Sequence, residues 1–429
     1  MGGLAAKAIA SVQRYRQQAV GLLLYQPVFD TAISRALLNL LDALCIEDSD
    51  QCLTAYGIWF RALAAHQRTW QAHLVEQILV ADNPFSQQVQ RQPVQELPVA
   101  LLAAVRHDLS CLQTLYTCHC RQLSQWVQTV CQIPDAPVVW ELENESSPPI
   151  SFLNLPDWQQ GLVELATYYQ RQGVGIFGQY RAFRWQGNAL VGVAHPDTIR
   201  LEDLAAYDHP RQQLLKNTQF LLQDSPALHV LLYGSRGSGK SSLVKALVNE
   251  YSDHGLRLIE VSKSALVNLP AIVEQVRDLP QKFIIFVDDL SFEEDDDAFK
   301  ALKVVLEGNV TAKANNVVVY ATSNRRHLVR EYFAERPRPK DQDEIQAWDT
   351  LQEKLSFSDR FGLTLTFEAA DQKTYLQIVR HLAKQAHIQL APEDLEHRAR
   401  QWATRHNGRS GRTARQFIDF LAAELSLME

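Results

Sequence analysis

Two periodicities divide the chain. Through about residue 135, apolar side chains recur at spacings of three and four, with Pro84, Pro93 and Pro98 interrupting the pattern, which predicts an all-helical region. Its clearest stretch is Val99–Val130. Leu102, Leu109, Tyr116, Leu123 and Val130 repeat every seven residues, with Val105, Leu112, His119 and Trp126 at the complementary position. Such a two-seam pattern predicts one long helix packed in a bundle or against another chain, the bundle within the chain being the plainer reading. From His229 onward the pattern changes to short apolar runs separated by helical segments. His229–Tyr233, Arg257–Val261, Phe283–Val287, Val317–Thr322 and Leu363–Phe367 read as strands, and Ser242–Asn249 and Glu294–Glu307 as helices between them. Strand and helix in alternation predict a parallel sheet covered on both faces. After Glu368 the period is helical to the end.

Between these regions, Trp140–Pro149 is acidic and then rich in Ser and Pro, the composition of a linker. Trp158–Gln172 reads as a helix. Gly178–Trp185 and Ala189–Ala194, joined through Gln186-Gly187-Asn188, read as a hairpin, and Leu201–Leu222 is helical again. The expected organisation is a helical N-terminal domain (1–139), a linker (140–150), a connecting helix and hairpin (151–200), an α/β core (201–368) and a C-terminal helical lid (369–429).

Composition narrows this picture. A chain of 429 residues with 46% hydrophobic and 21% charged residues is globular and long enough for two or three domains. A formal charge of −7 argues against attraction of the whole molecule to nucleic acid. Two local basic stretches, Arg325–Lys340 and Arg398–Arg415, keep nucleic-acid contact open without favouring it. No apolar run is long enough to span a membrane, and the first residues lack the plan of a secretory signal. The expected location is the cytoplasm, with the six cysteines reduced. Cys118-His119-Cys120 invites a metal reading. On a helix, however, residues two apart point to different faces, so the expectation is buried thiols and a core histidine.

The chemistry concentrates after the first predicted strand of the core. Gly234-Ser-Arg-Gly-Ser-Gly-Lys-Ser241 joins that strand to a helix, the context a phosphate-binding loop requires. Its glycines allow successive N–H groups to face phosphate oxygens, and the helix dipole favours the negative charge. Gly234, Ser235, Arg236, Gly237, Ser238, Gly239, Lys240, Ser241 and Ser242 form the predicted nucleotide-binding set, with Lys240 on the outer phosphates and the Ser241 hydroxyl on Mg²⁺. Phe283–Asp289 is an apolar strand delivering carboxylates to the sheet edge, a Walker B pattern. Asp288 is the expected partner of Mg²⁺. Asp289 stands where a general base, commonly the longer Glu, is placed. Glu293–Asp297 is a run of acids that reads as a helix start, with Ser291 and Glu294 as a capping box. Asn324, at the tip of the strand beside Walker B, suits the positioning of a water. Arg360, just before the last strand, suits a finger reaching a neighbouring subunit, against the plainer reading of a surface pair with Asp359. Arg412 and Arg415, at the start of a lid helix, could each reach back to the γ-phosphate, and spacing does not choose between them.

Together these parts resemble an AAA+ ATPase. The strings Ala182–Trp185, Leu231–Gly234, Gly255–Glu260, Asp288–Phe292, Tyr320–His327, Ser358–Gly362 and Ser410–Arg412 are similar to a bacterial family called domain of unknown function 815, over about residues 150–425. The resemblance implies a five-stranded AAA+-type αβα P-loop core with a helical lid, ATP with Mg²⁺, and a homo-oligomeric ring, such as a hexamer. It implies phosphate and metal binding by Lys240 and Ser241, Walker B roles for Asp288 and Asp289, a sensor role for Asn324, a finger role for Arg360, and a lid sensor at Arg412 or Arg415. Asp at 289 fits this family better than the general AAA+ pattern. Two functional readings follow: an ATPase that remodels a protein or nucleic-acid client chosen by the N-terminal helices, or a slow ATP-dependent switch or loader that binds a protein or nucleic-acid partner.

Overall fold

The computed structural model describes residues 6–142, 150–291, 297–307, 314–324, 360–406 and 408–427. The basic stretch 325–340, the acids at 293–296 and the pair Ser358-Asp359 lie outside the described residues. The chain forms two compact units, Met1–Gln179 and Tyr180–Glu429.

The N-terminal unit is helical: α1 (Ala6–Val20), α2 (Ala32–Ile46), α3 (Ser49–His66), α4 (Trp70–Leu79), α5 (Pro84–Val89), α6 (Val99–Tyr116), α7 (Cys120–Cys131), α8 (Leu162–Gln172) and α9 (Ile176–Gln179). Their starts are written locally. Thr31, Asp48 and Thr69 accept the backbone N–H of Ser34, Gln51 and Ala72, and Asn83 with Ser86 closes a capping box. Trp59, Trp70, Tyr25, Tyr169, Phe85 and Trp158 fill the core. Trp158, Leu162 and Tyr169 belong to the same core as α1–α7, so the segment after the linker packs with the N-terminal helices.

The long helix expected over Val99–Val130 is two helices. It breaks at Thr117-Cys118-His119 because side chains from α4 take the carbonyls there. Trp70 Nε1 donates to Leu115 O (2.9 Å), and Gln71 Nε2 donates to the carbonyls of Tyr116 and Cys118 (3.1 Å each). His119 is therefore not a core histidine. It is exposed at the N-cap of α7, between buried Cys118 and Cys120. Burial holds the Cys118 thiol well above its ordinary pKa, which keeps it protonated and inert. Among the described residues no group of three or more His, Cys, Asp and Glu side chains could hold a metal ion.

The histidine that is in the core is His73. Its Nε2 lies 2.9 Å from Thr31 Oγ1 and 3.2 Å from Ser34 Oγ. Burial, with His66 and Arg68 adding repulsion, lowers its pKa from 6.5 to about 4. The folded unit thus resists a proton that the unfolded chain accepts. Stability from this group is complete above pH 6.5, declines as pH falls toward 4, and is flat below. The full loss is about 3 kcal/mol. Denaturant titrations at pH 7 and pH 4.5 are expected to show a smaller acid-induced loss in His73→Gln than in the wild type.

The second unit is built on one seven-stranded sheet, in the order β2-β1-β4-β5-β6-β3-β7. The strands are β1 (Ala182–Gln186), β2 (Ala189–Gly192), β3 (Val230–Gly234), β4 (Leu256–Glu260), β5 (Lys282–Val287), β6 (Val317–Ser323) and β7 (Leu363–Phe367). The five core strands are parallel, with β6 between β3 and β5. The hairpin closes through Gly187 and Asn188, both in the left-handed region, as a primed turn requires. Its first strand begins at Ala182, since Gly178 is helical, and pairs parallel with β4 at Ala182↔Leu258. The sheet is thus two strands wider than the five expected. Around it lie α10 (Asp208–Leu222), α11 (Lys240–Tyr251), α12 (Leu269–Val276) and α13 (Asp297–Glu307). The expected lid is a three-helix cluster, α14 (Gln372–Gln385), α15 (Pro392–Arg405) and α16 (Gly411–Ser426), around Tyr375, Val379, Ala399 and Phe417.

Candidate functional site

β3 is buried on both faces and ends at Gly234, where the chain must pass close to β7. A Cβ on Gly234 would lie 1.9 Å from the carbonyl oxygen of Phe367, so no other residue fits. The loop then turns through Gly237 (φ 75°) and Gly239 (φ 90°) into α11. A Cβ on Gly237 would lie 2.9 Å from Ser410 Oγ, and Arg412 N donates to Gly237 O at 3.3 Å. The loop is therefore packed directly under the start of lid helix α16.

A cavity of about 780 Å³ opens here, within the size range of small-molecule sites. Arg236 to Ser242 line one wall, Asp288, Asp289, Thr322 and Asn324 a second, and Arg412, Arg415 and Gln416 of the lid a third. Its far end is apolar, with Ile199, Ala205, Ala206, Tyr207, Phe367, Ile378 and Leu382. Ala206 and Tyr207 hold left-handed backbone (φ 67° and 59°), and Tyr207 Oη donates to Glu368 O at 2.8 Å.

Lys240 is buried at the first turn of α11, and its Nζ donates to Gly234 O (3.0 Å) and Ser235 O (2.8 Å). Burial lowers its pKa below the ordinary lysine value, while Asp288 and Asp289 pull in the opposite direction. Ser241 Oγ donates to Asp288 Oδ1 at 2.7 Å, and Asn324 Nδ2 donates to Asp289 Oδ1 at 2.6 Å. Asp288 and Asp289 are both exposed at the end of a strand buried from Phe283 to Val287.

Most of the residues singled out in sequence thus meet at one cavity. Gly234 and Ser235 stand behind its wall, contributing the carbonyls that face Lys240. Arg360 directly precedes Phe361 and β7 and is not among the lining residues. Both lid arginines line the cavity, so geometry also leaves Arg412 and Arg415 together. Sequence reasoning missed Thr322, Lys245, Arg211 and the apolar end. Two of these left a signal. Thr322 is two residues before Asn324, on the same pleat face, and Lys245 is one helical turn beyond Ser241.

The profile of a family described as protein of unknown function (DUF815) matches residues 178–425, more than half of the chain and the whole of this site. The chain belongs to the DUF815 family. Solved structures similar to this DUF815 protein include the Thermotoga maritima RuvB Holliday junction branch migration motor, 14% identical over 52% of this chain and 72% of that one, with a TM-score of 0.33. A point mutant of the same Thermotoga maritima protein gives 13% identity, 52% and 72% coverage and a TM-score of 0.34. A second point mutant of it gives 13% identity, 52% and 73% coverage and a TM-score of 0.34. No curated protein matches the chain. The core is a mostly parallel αβα sheet fold that carries this glycine-rich loop, the carboxylate strand and the helical lid. Among the described residues no helix is long and apolar enough to cross a membrane.

Proposed function

We propose that this protein binds ATP with Mg²⁺ between core and lid, hydrolyses it, and uses the change at that junction to act on a partner. The observation that supports this most is the convergence of the α11 N-terminus, Lys240, the Ser241–Asp288 pair and two lid arginines on one cavity. The N–H groups of the turn and Lys240 take the phosphates. To do so, Lys240 exchanges its bonds to the loop carbonyls for bonds to phosphate oxygens. The apolar end around Tyr207, Ile378 and Leu382 suits a base. A hydroxyl and a carboxylate side by side are the oxygen donors a hard divalent ion prefers, so Ser241 and Asp288 fit magnesium. Bound there, the ion would neutralise charge on the outer phosphates. Asp289 accepts the proton of the attacking water, and Asn324 orients both. Arg412 and Arg415 tie the phosphate to α16, so loss of the γ-phosphate loosens the lid from the loop.

Arg360, outside this cavity, fits completion of a neighbour's site in a homo-oligomer. On that reading the ATPase rate per subunit rises with protein concentration, and Arg360→Ala removes the rise while leaving ATP affinity intact. An arginine acting in trans contributes about 10³–10⁵ in rate. A rate per subunit that is constant with concentration and unchanged by Arg360→Ala contradicts it. The switch or loader reading is favoured by Asp289 in place of Glu, and slow turnover at all concentrations would select it. Client choice by the N-terminal helical unit and a cytoplasmic location belong to the same proposal.

A further inference from the structure

The geometry points to Thr322 as a positioning residue whose single hydroxyl sets the directions in which Asp288 and Asp289 face. This rests on the ATPase reading above and adds to it a residue whose side chain was given no role there. Thr322 is 2% exposed, at the end of β6.

A threonine hydroxyl has one proton and can accept at its lone pairs. Here the proton goes to Asp288 Oδ1, and a lone pair takes the backbone N–H of Asp289 at 2.9 Å. Ser241 donates to the same Asp288 oxygen at 2.7 Å. With two donors on Oδ1, Oδ2 is the oxygen of Asp288 turned over to a cation or its water. The second bond acts on the backbone. Asp289 sits at φ 52°, in the left-handed region that is unfavourable for a residue with a Cβ. The Thr322 hydroxyl holds the N–H of that turn. From this turn the Asp289 carboxylate meets Asn324 at 2.6 Å. Aspartate is one methylene shorter than the glutamate common at this place, and the left-handed turn redirects its Cα–Cβ bond. The backbone thereby supplies the aim that a longer side chain would otherwise provide.

The two strand ends are also fixed in register, which leaves the hydroxyl little freedom. Leu290 N donates to Thr322 O at 2.7 Å, and Ser323 Oγ donates to Leu290 O at 2.9 Å. Those bonds use the main chain of 322 and a neighbouring side chain, so removing the Thr322 hydroxyl leaves them in place.

The test compares Thr322→Val, which keeps the shape and removes the hydroxyl, with Thr322→Ser, which keeps the hydroxyl. Three quantities are read: ATP affinity by calorimetry with and without magnesium, steady-state kcat and KM, and the melting temperature. Partners of this kind, mutated, cost about 10- to 100-fold in metal affinity or activity. Thr322→Val is expected to lose that much in kcat and in the magnesium-dependent gain in ATP affinity, while magnesium-free affinity is unchanged. Thr322→Ser is expected to retain both. A Thr322→Val protein equal to wild type in both overturns the inference. So does a Thr322→Ser protein as damaged as Thr322→Val, because packing of the methyl group would then be the cause. Wild-type protein without turnover defeats the ATPase reading alone, since the magnesium-dependent affinity still decides the role of Thr322. Wild-type protein without any magnesium-dependent gain defeats both.

Discussion

Lys240→Met is expected to lose nearly all nucleotide affinity while melting close to the wild-type temperature. The lysine stem packs in the loop, and Met keeps that packing while removing the charge. The ammonium is buried and satisfied by two loop carbonyls, Gly234 O and Ser235 O. Its desolvation opposes those two bonds, which is why burial lowers its pKa and why its removal changes stability little. The same preloaded charge is strongly favourable once phosphate oxygens replace the carbonyls. Removing one partner of a buried charge pair costs about 2–5 kcal/mol, or roughly 30- to several-thousandfold in Kd. Parallel melting curves and nucleotide titrations of the two proteins check both halves of this expectation.

Asp108→Ala is expected to be the most damaging single change in the N-terminal unit. Asp108 lies on α6, wholly buried, and accepts three consecutive backbone N–H groups from the turn after α1. Its Oδ1 takes Leu23 N at 2.9 Å, and its Oδ2 takes Leu24 N at 2.7 Å and Tyr25 N at 3.0 Å. The turn it holds carries Tyr25, whose hydroxyl lies 2.9 Å from that of Tyr169, which donates to Ile78 O at 2.6 Å. Truncation strands these three donors together, at a cost of about 3–5 kcal/mol. That corresponds to a fall of about 10 °C in the melting transition of a unit this size. Scanning calorimetry reads it, and Asp108→Asn, which keeps one acceptor, falls between. A shift below about 3 °C would mean the turn is held by packing alone.

What could be read in advance follows a physical line. Interactions made within one element or one loop were legible. Phe283–Val287 announces itself as a buried strand and Leu363–Phe367 as a strand, and Gly234–Ser241 announces its turn by glycine spacing. Interactions made between distant segments were not. The helix break at Cys118 depends on Trp70 and Gln71, and the widening of the sheet on Ala182 meeting Leu258. Asp108 and Thr322 fall between these cases. Asp108 stands among Val105, Leu109 and Leu112 on an apolar helix face, where an acid demands a partner. Thr322 shares a pleat face with Asn324. In both, the position was visible and the partner was not.

Calorimetric titration of ATP into the purified full chain, with and without magnesium, tests the central claim most directly. Wild-type protein is expected to take up one ATP per subunit with an affinity that magnesium strengthens, and Lys240→Met is expected to give no measurable heat under the same conditions. A wild-type titration with no uptake, or a Lys240→Met protein that binds as tightly as wild type, contradicts it.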